Sequence, residues 1–170
     1  MSLDNARVMI CALLMIGLTP VWGLESDRHQ PMALEADSLS INESTGVSLY
    51  EGNVTIVQGS MKLWADRIWV HRSAGKTEKI VCEGAPTRFS QLPEEGGVEV
   101  NGRARRMEIY VNRNEMLLID DALLAQGGNS FRNDRIVYNR ANAQVMAGSS
   151  VEGKERVQVV IEPQGGKAAP

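Results

Sequence analysis

A chain of 170 residues with a formal net charge of −3, in which 18 Lys and Arg stand against 21 Asp and Glu, carries no basic excess of the kind that draws a protein to nucleic acid. Two cysteines and two histidines exclude a disulfide framework and leave too few soft ligands for a metal centre.

The first residues read as a cleavable secretion signal. Arg7 supplies a positive n-region, residues 8–18 form an apolar h-region, and Val21-Trp22-Gly23 offers small residues for the peptidase. The apolar run is too short for a membrane anchor, which needs about 20 residues to cross the hydrocarbon core as a helix. Cleavage after residue 23 removes Cys11 and leaves about 147 residues, enough for one domain over 24–162. The remaining cysteine, Cys82, reads as a small buried hydrophobe rather than a reactive thiol.

The mature chain repeats itself at an offset of 68 residues: Ala36, Leu39 and Ile41 fall on Ala104, Met107 and Ile109, and Asp66-Arg67-Ile68 falls on Asp134-Arg135-Ile136. Within each half the same phrase returns after 29 residues, beginning at Ala36, Ala65, Ala104 and Asn133. Four hairpin units follow. Each continues through Asn-, Gly- or Ser-rich turn residues at 42–46, 72–75, 112–114 and 139–142 into a return strand. Gly52, Gly84, Asp121 and Gly148 mark bulges or bends in those return strands. No segment after residue 24 holds a helical apolar period, so the fold class is all-β.

The alternation changes phase at every phrase. Met61, Leu63 and Ala65 give way to Ile68 and Val70, and Val100, Gly102 and Ala104 give way to Met107, Ile109 and Val111. A slip of one residue turns the core face outward unless a bulge or corner restores it, so the phrase predicts the place where strands bend between two sheets. The recurring aspartates are then structural, not catalytic. Nothing else groups a nucleophile with a base: there is no GxSxG, Walker or GxGxxG pattern, and His29 and His71 have no neighbouring ligands. Catalytic residues, metal and cofactor are therefore assigned as none. Arg103, Arg105 and Arg106 form the one basic cluster, read as a solvated strand face with phosphate contact as the lesser alternative.

Three stretches carry a family resemblance: residues 30–37 (QPMALEAD), residues 50–59 (YEGNVTIVQG) with residues 63–68 (LWADRI), and Gln126-Gly127 through Asp134-Arg135-Ile136-Val137-Tyr138. In order and spacing the chain resembles, from Gln30 to Pro163, the OstA-like family of periplasmic lipopolysaccharide-transport proteins. The resemblance implies a twisted, partly open β-jelly roll built here from four repeated hairpin units, whose two sheets enclose an apolar groove for lipid A acyl chains. It implies a periplasmic location and no enzymatic activity. Its expected partners are lipopolysaccharide, an inner-membrane transport component at the N-terminal edge, an outer-membrane translocon at the C-terminal edge, and further copies of the chain stacked head to tail.

The inward parity assigns the groove to Ile41, Ile56, Leu63, Ile68, Phe89, Met107, Ile109 and Leu124, with Phe89 foremost. The partner edges are assigned to Met32 and Leu34 at one end and to Val157, Val159 and Ile161 at the other, before a polar tail at 163–170 that reads as disordered. A self-contained lipid carrier and the membrane-anchored component of the same machinery are the alternatives. Two departures stand in the second half, where Asp120-Asp121 replaces a more typical Thr-Gly pair and Ala104-Arg105-Arg106 lacks the phrase's aspartate. They predict a different bend there.

Overall fold

The computed structural model describes Asp27, residues 30–93 and residues 97–162. The signal at 1–23, His29 and the tail at 163–170 lie outside the described residues.

Ten strands make up the fold: β1 (Ala33–Glu35), β2 (Ser38–Asn42), β3 (Val47–Gln58), β4 (Met61–Ser73), β5 (Lys76–Gln91), β6 (Val100–Tyr110), β7 (Glu115–Gln126), β8 (Asn129–Asn139), β9 (Gln144–Ala147) and β10 (Gln158–Val160). They form one antiparallel sheet in the order β1-β3-β4-β5-β6-β7-β8-β10, with β2 also pairing β3 and β9 also pairing β8. The sheet does not close on itself. It matches the all-β, partly open jelly roll expected, and the turns fall on the Asn- and Gly-rich segments at 43–46, 74–75, 111–114 and 140–143.

Every long strand is interrupted at one level. Register breaks lie between Glu51 and Val54, Trp64 and Arg67, Glu83 and Thr87, Arg103 and Arg106, and Ile119 and Ala122. These bulges line up into a seam that folds the sheet into two facing layers. The first layer holds residues 38–42, 47–51, 67–73, 76–83, 106–110, 115–119, 135–139 and 144–147; the second holds 33–35, 54–58, 61–64, 87–91, 100–103, 122–126, 129–133 and 158–160. The seam explains the phase change read from the sequence. In β4, Met61, Leu63 and Ala65 are buried before the bulge and Ile68 and Val70 after it, while Asp66 and Arg67 both face solvent.

The phrase aspartates hold the seam. Asp37 Oδ2 accepts from Asn53 Nδ2 at 2.9 Å, and its own amide donates to the Gly52 carbonyl at 3.0 Å. Asp66 Oδ2 accepts the Ala85 amide at 3.2 Å, and Asp134 accepts those of Lys154 and Glu155 at 2.8 and 3.2 Å. Glycine is required at Gly52, where φ is +81° and a Cβ would enter the Asp37 carboxylate. In the third unit the two sequence departures turn out to be partners: Arg105 Nε donates to Asp121 Oδ2 at 2.6 Å. Asp120 and Asp121 take left-handed φ values of 61° and 54°, which aspartate tolerates better than most residues. The bend sits at the same level as the others, and only its chemistry differs.

One core fills the space between the layers, drawing on side chains from both. The Phe89 ring of the second layer stacks on Tyr138 of the first, with centroids 6.2 Å apart. Phe89 lies over Gly102, its cross-strand neighbour, where any Cβ would penetrate the ring. Burying each such apolar side chain contributes roughly 1.5–3 kcal/mol, as an upper estimate.

Candidate functional site

Three register rows line the inner faces. In the second layer, Leu34, Ile56, Leu63, Phe89, Gly102, Leu124, Phe131 and Val159 stand opposite one another strand by strand, from β1 at one edge to β10 at the other. In the first layer the row next to the seam is Leu39, Tyr50, Ile68, Cys82, Met107, Leu118, Ile136 and Ala147. The next row outward is Ile41, Ser48, Val70, Ile80, Ile109, Met116, Tyr138 and Val145. With strands about 4.8 Å apart, each row makes an apolar track roughly 33 Å long.

The structure brings seven of the eight residues expected in a groove onto these rows with almost no exposure: Ile56, Leu63, Ile68, Phe89, Met107, Ile109 and Leu124. Ile41 differs. It occupies the first place of its row on the edge strand β2, paired with Ser48, and is 56% exposed. It is thus the uncovered end of the track rather than part of its enclosed stretch. Of the edge residues, Leu34 and Val159 are the two terminal members of the second-layer row, whereas Met32, Val157 and Ile161 flank the short strands and stand exposed. The rows add Ile80, Met116, Leu118, Ile136 and Tyr138, all buried and none of them assigned to the groove, and Cys82, buried as expected. The signal for Ile136 and Tyr138 was present in the fourth phrase.

Few polar atoms enter the core between the layers. Burial pushes the Tyr138 phenol above its ordinary pKa, against the opposing charge of Arg140, and its hydroxyl has no hydrogen-bond partner among the described residues. Burial likewise pushes the Cys82 thiol far up, with Arg106 opposing, which disfavours the thiolate. Thr87 Oγ1 donates to the Trp64 carbonyl at 2.9 Å. Among the described residues no cluster of three or more His, Cys, Asp or Glu is placed to hold a metal ion.

On its outer face the first layer carries a charged network. Glu108 accepts from Lys79 at 2.7 Å, Arg106 at 2.8 Å and the Tyr110 hydroxyl at 2.7 Å, and Arg106 reaches Glu83 at 2.6 Å. Burial opposes ionisation of Glu108, but hydrogen bonds from Lys79, Tyr110 and Arg106 outweigh it and hold the carboxyl down at about 2. The basic cluster seen in the sequence is therefore split three ways: Arg106 joins this network, Arg105 pairs with Asp121, and Arg103 faces outward on the second layer.

Residues 33–144 match the family described as "LptA/(LptD N-terminal domain) LPS transport protein". The chain is 32% identical over 163 residues to the lipopolysaccharide export system protein LptH of Pseudomonas aeruginosa, covering 89% of this chain and 93% of that one. It is 30% identical over 161 residues to LptA of Escherichia coli K12, covering 94% and 85%. The crystal structure of P. aeruginosa LptH, described as the LptA-homologous periplasmic component of the lipopolysaccharide transport device, superposes with a TM-score of 0.74 at 31% identity, over 81% of this chain and 99% of that one.

Proposed function

The chain belongs to the family of LptA and LptD N-terminal-domain lipopolysaccharide transport proteins, and on that premise we propose that it bridges the periplasm as a passive track for lipopolysaccharide. Acyl chains occupy the trough between the layers, and sugars project from the side opposite the seam. The observation that carries this reading is the continuity of the second-layer row, which runs unbroken from Leu34 at one edge strand to Val159 at the other.

The chemistry fits. Moving an acyl chain through water costs about 0.8 kcal/mol per methylene, so a chain of a dozen carbons faces a penalty near 10 kcal/mol. An apolar lining removes that penalty without fixed hydrogen bonds, and the lipid can slide. The layers are joined by backbone along the seam and meet elsewhere through side chains such as Phe89 and Tyr138, so an acyl chain enters by parting them. Direction comes from a partner. No nucleotide motif lies in the chain.

Among the described residues both ends of the sheet keep unpaired strand edges, which can add a neighbour's strand by main-chain hydrogen bonding. The β1/β2 end would dock the inner-membrane component, the β9/β10 end the outer-membrane translocon, and copies of the chain would stack head to tail between them. A photo-crosslinking side chain at Phe89 or Ile109 should capture lipopolysaccharide, while one at Glu51, exposed on the outer face of the first layer, should not. Equal capture at Glu51, or none at any site, would defeat the groove assignment. A strictly monomeric protein that extracts and delivers lipid alone would replace the bridge by a carrier.

A further inference from the structure

The three arginines nearest in sequence are not the three nearest in charge. Across the outer face of the second layer, Trp64, Arg88, Arg103, Leu123 and Arg132 stand opposite one another on β4 to β8. Arg88, Arg103 and Arg132 are exposed, and none has a carboxylate partner among the described residues. Arg88 and Arg103 are direct cross-strand neighbours, a like-charge pairing that costs stability. In a chain whose net charge is −3, three guanidinium groups without a carboxylate partner among the described residues stand within about 15 Å and form a local positive field.

The surroundings of the row narrow the ligand. Arg103 and Arg132 line a shallow depression of about 350 Å³ together with Ala85, Pro86 and the Arg105–Asp121 pair. Trp64, next to Arg88 in the row, is 41% exposed, and the adjacent row carries Ser130 together with Ser90 and Asn101, which both donate to the Glu99 carboxylate. Arginine forks recognise phosphate oxygens bidentately, an exposed indole offers an apolar plane to the C–H face of a sugar, and small hydroxyl and amide groups meet sugar hydroxyls. The set is narrow and linear, unlike the broad basic surface that a membrane would engage.

We infer that the outer face of the second layer binds phosphate groups carried on a saccharide, with Arg88, Arg103 and Arg132 as the phosphate contacts and Trp64 as the stacking platform. The site lies on the other side of the sheet from the trough. The inference rests on this outer face alone and stands apart from the lipid reading.

The test uses the fully deacylated, phosphorylated saccharide of lipopolysaccharide as probe, which has no chains to enter the trough. By titration calorimetry the native protein should bind it, more weakly as salt rises. The triple variant R88Q/R103Q/R132Q should weaken binding at least tenfold, W64A several-fold, and R72Q, far from the row, not at all. Treating the probe with phosphatase should weaken its binding to native protein at least tenfold. Near-UV circular dichroism confirms that the variants keep their fold, which is expected because the substituted side chains are exposed. Undiminished binding by the triple variant, or equal binding of the dephosphorylated probe, overturns the inference. So does preferential capture on phosphatidylglycerol vesicles that the saccharide fails to compete away, which would make the row a membrane contact. Crosslinking of whole lipopolysaccharide at Phe89 reads the trough independently of all these outcomes.

Discussion

The two ends of the sheet are built on one plan and finished differently. Each of the terminal long strands, β3 and β8, carries two short strands on its outer edge, one per layer. At the N-terminal end the change of layer takes two residues, Ala36 and Asp37, and the first-layer strand β2 is left bare, with Leu39 52% and Ile41 56% exposed. At the C-terminal end the change takes ten residues, 148–157, including a 3-10 turn at Gly148–Val151. There the first-layer residues Val145 and Ala147 are half-buried, while Val159, Val160 and Ile161 of the second-layer side stand 47–72% exposed. One end thus bares apolar side chains of the first layer, and the other bares those of the second. Ends that differ in this way suit the proposed head-to-tail stacking better than a symmetric dimer, which would join like to like.

The largest effect is expected from blocking one end. Ile41→Glu should abolish end-to-end oligomers in sedimentation velocity, and Val159→Glu should do the same from the other end, because an inward charge on an edge opposes further pairing. A mixture of the two variants should give dimers and nothing longer, joined through the unblocked ends. Long oligomers in either variant alone would break the contrast between the ends.

Between the ends, Phe89→Ala should cost about 3–5 kcal/mol in urea denaturation, as expected for an aromatic ring lost from a closed core. Gly102→Ala should cost about 1–3 kcal/mol by driving a methyl group into that ring. The enclosed stretch of the track thus bears on stability, whereas Ile41→Ala at its open end should change the denaturation midpoint little.

A pH effect comes next. The Glu108 carboxyl sits below its ordinary value in the folded chain, so its stabilisation is complete above about 4.5, its unfolded value, and is lost as pH falls through about 2. Glu108→Gln should lower stability at neutral pH and flatten the acid limb of the stability curve between those values. The smallest effect is expected at the third bend. Asp121→Gly removes a left-handed aspartate and frees Arg105, both on the surface, and should leave the midpoint within error. Asp134→Ala should do more, because two loop amides at the C-terminal end lose their acceptor.

Much of this was legible in the order of residues. Side chains on a strand alternate with a period of two, so the phase change at Ala65-Asp66 and its repeats determined that strands bend there, and the recurrence of the phrase determined that the bends align. The same parity placed Phe89, Leu63 and Ile109 inward. Local pattern says nothing about what lies across a gap. Only the pairing of strands decided that Ile41 ends its row uncovered, and that Asp121 answers the aspartate missing from Ala104-Arg105-Arg106. The same pairing separated Arg103 from Arg105 and Arg106 and set it beside Arg88 and Arg132, because a sheet makes neighbours of residues that the chain keeps far apart.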